Sequence, residues 1–329
     1  MNKKMKKYIV VFSILCALFI DANAQQQIQL TQNIFNILSY NPGYAGSQNS
    51  INAIGTFRNQ WTGFGRTETV GEDGSTTKSK ALSPRLYMIS LDAPVRALRG
   101  GLGLTITSDK IGAFENIAVN LGYAYQRELA NGGNLGIGAQ VRFDNVVLNA
   151  GDLIWGDEGD PIESEMLSSG NDFIVDCNFG VFYSKPNSFF GGVSAYNLVG
   201  TQGKNTLYKE KRSFNVHGGY QYRIPSNPKI KIIPSALIKT DLSSFQVDLN
   251  ALLMYKDKFW GGLNYRINDG LGILLGLVWK DFMLGYSYDI TMSSMALGGS
   301  WGSHEVVLSY SFKFEREKGR TTQRNTRYL

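Results

Sequence analysis

Beyond its first two dozen residues, this chain of 329 has no apolar run approaching the roughly 18 residues that a membrane helix requires, so helical spans are excluded. It has two cysteines, Cys16 and Cys177, and two histidines, His217 and His304. Nothing in it has the spacing of a zinc site or a P-loop, and Gly100-Gly101-Leu102-Gly103 precedes no helix, so it is no dinucleotide fingerprint. Catalysis by a Ser-His-acid set would need those groups to converge on one face, and no segment carries them so; the chain reads as a non-enzyme. An excess of one charge is also missing. The whole chain is +6, of which the first 24 residues hold four lysines against Asp21 and the last fifteen hold five cations against two acids. Each end is thus +3 and the body between them is neutral, which gives no reason to expect nucleic acid.

What is present begins with a leader. Lys3, Lys4, Lys6 and Lys7, the apolar stretch 8–20 and Ala22-Asn23-Ala24 make residues 1–24 a signal peptide with cleavage before Gln25. The protein is therefore expected to be exported. Cys16 lies in the apolar stretch without the small residues of a lipoprotein site, and cleavage leaves Cys177 with no intramolecular partner. Residues 25–50 break any simple periodicity: Ile28, Leu30, Ile34, Phe35, Ile37 and Leu38 cluster before the turn Asn41-Pro42-Gly43. They predict a short plug-like periplasmic segment at the mouth of whatever follows.

From Ile51 the chain alternates. Ile117, Val119, Leu121, Tyr123 and Tyr125 alternate with small or polar residues; after Asn131-Gly132-Gly133, Leu135, Ile137, Ala139, Val141 and Phe143 do the same. A period of two means strands, Asn-Gly marks a hairpin, and about ten residues per strand suits a tilted membrane strand. Residues 51–314 hold about fourteen such segments, an even number. Every second connection is short, and the long ones, 62–81, 149–171 and 200–211, fall at the other end. Together these predict a closed, all-β, antiparallel transmembrane barrel in outer-membrane lipid, with short periplasmic turns and longer outer loops. Leu249 and its parity mates face lipid; Asn250 faces the lumen, where Arg is expected to be tolerated better. Tyr222, Tyr255, Trp279 and Phe314 fit an interfacial girdle. Pro234 predicts a bulge in the ninth strand. The second strand, near 82–92, reads poorly because Leu86, Tyr87, Met88, Ile89 and Leu91 populate both faces.

Parity puts Arg58, Arg142, Asp144, Asp176, Arg223, Lys231, Lys239, Asp248, Arg266 and Lys313 in the lumen, with His217 in a polar network there. Mixed signs indicate salt-bridged filling or a narrow pore. The basic residues 315–329 read either as a solvated end or as a docking arm for a periplasmic partner. Loop 149–171 carries Asp152, Asp157, Glu158, Asp160, Glu163 and Glu165 with no Lys or Arg, and Trp155 among them. Solvation alone accounts for such a loop. A partner-docking role, with Asp157, Glu158 and Asp160 as a Ca²⁺ candidate and Trp155 as the anchor, is the alternative; no other cofactor or metal is expected.

Short runs stand in order along the chain: Asn41-Pro42-Gly43-Tyr44-Ala45-Gly46-Ser47, Arg58-Asn59-Gln60-Trp61, Leu91-Asp92-Ala93-Pro94 and Gly101-Leu102-Gly103 with Asp109-Lys110-Ile111-Gly112. They continue in Trp260-Gly261-Gly262-Leu263-Asn264-Tyr265-Arg266 and in Gly285-Tyr286-Ser287-Tyr288-Asp289 running to Gly302-Ser303-His304-Glu305. On these residues the chain resembles the PorP/SprF family of type IX secretion-associated outer-membrane proteins of Bacteroidota, and the resemblance spans nearly the whole mature chain. It implies assistance in secretion or surface anchoring of an adhesin of the gliding-motility type through that adhesin's C-terminal domain. Periplasmic type IX components, including a peptidoglycan-binding protein, are implied as inner partners. An outer-membrane porin or small-solute channel is the alternative that the barrel alone allows.

Overall fold

The computed structural model describes residues 28–48, 50–64, 68–70, 76–78, 83–149, 170–206, 208–293 and 299–313. The leader, Phe314, the basic tail and the acidic residues of the 149–171 loop lie outside them. Among the described residues fourteen antiparallel strands form one barrel: β1 (Ser50–Asn59), β2 (Arg85–Val95), β3 (Gly100–Ile111), β4 (Phe114–Glu128), β5 (Asn134–Leu148), β6 (Gly170–Ser184) and β7 (Phe189–Tyr196). They continue with β8 (Ser213–Tyr220, resumed at Tyr222–Arg223), β9 (Ile230–Thr240), β10 (Phe245–Tyr255), β11 (Phe259–Arg266), β12 (Gly270–Trp279), β13 (Phe282–Thr291) and β14 (Ser303–Lys313). Each pairs with its neighbours in sequence, and β14 returns to β1 from Ser50↔Lys313 to Asn59↔His304. Closure is obligatory in lipid, where an unpaired edge would leave peptide groups unsatisfied at several kcal/mol each.

Alternation sorts the wall as expected. On the β4–β5 hairpin Ile117, Leu121, Tyr125, Ile137 and Val141 are exposed outward, while Asn120, Gln140, Arg142 and Asp144 are buried inward. The short turns share one end with Ser50 and Lys313, the periplasmic end by the usual asymmetry of these barrels. There Lys256 and Lys280 sit over the rings of Tyr255 and Trp279, 5.3 and 5.1 Å from their centroids, as interfacial girdle residues do.

Residues 28–48 form the plug, and it fills the lumen itself instead of standing at the mouth. Three short 3-10 turns, Asn33–Phe35, Ile37–Ser39 and Pro42–Tyr44, shape it. It explains why β2 reads poorly: Leu86 and Met88 point inward, where they pack on Leu30 and Ile28 of the plug, while Tyr87, Ile89 and Leu91 face lipid. Trp260, Leu252, Leu274 and Ile233 are likewise apolar and inward because Ile34 and Phe35 lie against them. A binary pattern presumes a wet lumen; a filled one accepts apolar groups on both faces of a strand.

The bulge expected at Pro234 does not form. β9 keeps one register with β10 through Pro234↔Ala251 and one register with β8 on either side of the proline. The pairing with β8 instead lapses between Gly219↔Ser235 and Tyr222↔Ile232. A proline removes a donor from the ladder without inserting a residue, so a gap suffices.

The parity leads to a first prediction. Leu249 is 44% exposed on the lipid face, and Leu249→Arg is expected to cost roughly 2–4 kcal/mol near the bilayer midplane. Asn250, 5% exposed, donates to Asn33 Oδ1 at 3.1 Å and accepts from Asn264 at 2.8 Å. The plug therefore removes the tolerance expected for Asn250→Arg, which is expected to destabilise by overpacking. Denaturant midpoints in lipid vesicles test both; an unchanged midpoint for Leu249→Arg would contradict the parity.

Candidate functional site: the filled lumen and its two vestibules

The plug from Ile28 to Gln48 contains no charged residue. Every ionised group around it comes from the wall, and the plug answers with backbone and neutral side chains. The strongest contact is a latch made by three strands. Arg58 on β1 is buried; its guanidinium meets Asp289 Oδ2 of β13 at 2.7 Å and Glu305 Oε2 of β14 at 3.0 Å. Glu305 in turn accepts the backbone N–H groups of Thr31 and Gln32, both at 2.8 Å, and Thr31 Oγ1 donates to Asp289 Oδ2 at 2.5 Å. Charge-assisted bonds between buried groups are the strong ones, provided each charge keeps its partner.

A second polar seat lies beside it. Arg266 bonds Asp248 and Asp269, both at 3.1 Å, Asn33 donates to Asp248 at 3.4 Å, and Lys239 donates to the Ile28 carbonyl at 2.6 Å. The third seat is Asn41. Its Oδ1 accepts from Gly43 N at 2.9 Å, capping the Pro42–Tyr44 turn, while its Nδ2 reaches the Val181 carbonyl at 3.0 Å and His217 Nε2 at 2.9 Å. His217 stands edge-on to Tyr40 and stacks on Phe182, so it is a member of the polar lining enclosed by the plug. Gln126 donates to the carbonyls of Gly43 and Ala45 at 3.0 and 2.8 Å.

Close approach completes the seat. A Cβ added at Gly43 would lie 2.8 Å from Phe182 N and 2.9 Å from the carbonyls of Gly136 and Gly180, so plug backbone rests on wall backbone. Gly101 makes the same room for Gly46, which gives that strand glycine its reason.

The plug stands between two vestibules. The outer, about 110 Å³, is lined by Asp109, Arg142, Tyr208, Glu210 and Lys239. In the loop between β7 and β8, burial and the neighbouring Glu210 carboxylate push the Tyr208 phenol well above its usual range, and it donates to Glu210 Oε1 at 2.9 Å as a neutral hydroxyl. The periplasmic vestibule, about 860 Å³, has the underside of the plug as its roof.

The residues singled out for cargo or Ca²⁺, namely Asp152, Trp155, Asp157, Glu158, Asp160, Glu163 and Glu165, lie outside the described residues; the strand ends that carry their loop, Leu148 and Gly170, are at the outer end. Of the lumen charges, Arg58, Arg142, Asp144, Asp176, Lys239, Asp248 and Arg266 are buried inward, whereas Arg223 and Lys231 pair with Asp257 at the periplasmic rim, at 3.3 and 3.1 Å. Two central groups, Asp289 and Glu305, escaped that list. Their parity with Ser287 and Ser303 carried the signal.

A neutral segment latched inside a closed fourteen-stranded wall defines the class: a plugged outer-membrane barrel. The family described as type IX secretion system membrane protein PorP/SprF matches residues 22–310, and the chain belongs to that family. No curated protein matches the chain. Among solved structures it is similar to a TodX deltaS2S3 mutant monoaromatic hydrocarbon channel, at 10% identity over 83% of this chain and 93% of that one, with a TM-score of 0.50. It is also similar to the toluene transporter TbuX of Ralstonia pickettii, at 9% identity, 84% and 92% coverage and a TM-score of 0.46. A FadL homologue of Pseudomonas aeruginosa gives 11%, 84% and 93%, and 0.47. The likeness to the TodX mutant is one of fold alone. Several of the short runs that carry the resemblance meet at the plug: Asn41 to Ser47 form its inner end, and Arg58, Arg266, Asp289 and Glu305 form its seats.

Proposed function

We propose that this barrel assists secretion or surface anchoring of a partner adhesin by the type IX system, holding cargo at its outer end and periplasmic components at its inner end. The observation that carries this reading is the plug. A lumen filled by the chain's own residues and latched at Glu305 and Asn41 suits a docking platform better than a standing pore. Family membership supports the secretion role. The acidic loop is the proposed cargo contact, with Trp155 as anchor and Asp157, Glu158 and Asp160 as the Ca²⁺ candidate; six carboxylates repel one another until a cation or basic surface joins them. Deleting residues 152–165 is expected to lower adhesin retained on the cell surface without lowering barrel abundance. Unchanged surface adhesin beside a normal level of shortened barrel would remove the loop from the mechanism.

The second reading, a porin or small-solute channel, draws on the description of TodX as a monoaromatic hydrocarbon channel. Planar-bilayer recording separates the two. A silent barrel that co-purifies with an adhesin supports the platform; a large steady conductance of the wild-type protein supports the channel.

A further inference from the structure

The periplasmic vestibule combines two chemistries. Phe35 and Tyr44 of the plug and Phe190, Leu252 and Met254 of the wall make its interior apolar, whereas Arg96, Arg99 and Lys185 stand exposed at its mouth against Glu128. Those three cations have no ion-pair partner among the described residues, unlike Lys231, which faces Asp257. The excess is general at this end. The six periplasmic turns with their flanking strand ends (residues 95–99, 127–134, 184–188, 222–231, 255–258 and 279–281) hold ten Arg and Lys and three acids.

We infer that this vestibule seats an extended segment of a periplasmic protein in which carboxylates alternate with aromatic or aliphatic side chains. The apolar groups enter the cavity and the carboxylates meet Arg96, Arg99 and Lys185. The inference rests on the reading of the barrel as a secretion component with periplasmic partners, and it adds the partner's chemistry and its seat. Charge complementarity selects the occupant. β14 ends at Lys313 on this side, and residues 315–329 that follow it in sequence carry a net +3, so charge does not favour them as the occupant. A lipid would approach the outer wall, whereas this cavity opens along the barrel axis inside the ring of turns. Its volume, about 860 Å³, lies within the roughly 300–1,000 Å³ of ligand pockets and admits a few side chains, not a folded domain.

The test uses the purified full-length barrel in neutral nanodiscs and a fluorescent synthetic peptide alternating Glu and Phe, read by anisotropy. Binding is expected, weakening as salt rises, and falling roughly tenfold or more for a Gln-Phe peptide, for a Glu-Ser peptide and for the R96E/R99E/K185E variant. These three side chains lie in exposed turns, and heat-modifiable migration confirms that the variant is folded. Equal binding of the Gln-Phe or Glu-Ser peptide, or an unaffected triple variant, overturns the inference. Displacement of the peptide by phosphatidylglycerol vesicles that bind wild type but not the triple variant would assign the mouth to lipid headgroups and also overturn it. In cells the triple variant is expected to lower surface adhesin at normal barrel level. If deleting the barrel lowers surface adhesin and the triple variant does not, the secretion reading stands and the vestibule inference fails. If deletion itself changes nothing, the secretion reading fails.

Discussion

Arg58→Ala is expected to destabilise the barrel by about 3–5 kcal/mol and to convert it from a silent to a conducting protein. The guanidinium is 2% exposed and joins Asp289 to Glu305. Its removal leaves two buried carboxylates without their shared cation, which is the costly way to break a buried pair, far costlier than the modest net worth of an intact one. The charge can be relieved most simply by letting water in, and the nearest movable element is the plug, whose Thr31 and Gln32 amides hang on Glu305. Arg58→Lys keeps the charge but cannot fork between both acids, so an intermediate effect is expected. Denaturant midpoints and single-channel recordings of the three proteins provide the check. A silent Arg58→Ala barrel within about 0.5 kcal/mol of wild type would show that the latch does not hold the plug.

The second large effect is expected at Gly43. The atoms that a Cβ would meet there are backbone atoms of β5 and β6, held in the ladder on both sides, so they cannot yield as a side chain would. Gly43→Val is therefore expected to cost about 1–3 kcal/mol or more, delivered as displacement of the plug while the strands stay paired. In a Cys177→Ser background, Asn36→Cys should be protected from maleimide, because Asn36 is buried. Adding Gly43→Val should expose it to labelling. Gly55→Ala is the control, since its Cβ would meet only the Leu308 carbonyl at 3.9 Å. Protection that survives Gly43→Val would mean that the plug adapts and that the close approach is not what seats it.

Much of this site was legible one residue at a time. Parity alone directs Arg58, Asp248, Arg266 and His217 inward, and the glycines of Gly101-Leu102-Gly103 announce a need for room. Their partners were not legible. Glu305 binds Thr31 and Gln32 across more than 270 residues, and nothing near either position anticipates the pairing. Charge shows the same limit. The body sums to neutral in the sequence, yet the alternation of turns between the two ends gathers ten cations against three acids at the periplasmic end.

What the sequence determined by itself is what depends on neighbours along the chain: strand from the period of two, closure from the cost of unpaired peptide groups in lipid, and the face each side chain takes. The family could be read there too, because its motifs are short contiguous runs. What only the tertiary structure decided is what the lumen contains. A period-two pattern is the same around water as around a plug, so it could not distinguish an open channel from a filled one. That choice belongs to a neutral segment whose hydrogen-bond partners lie on strands far away in sequence, and whose seat exists only once the barrel has closed around it.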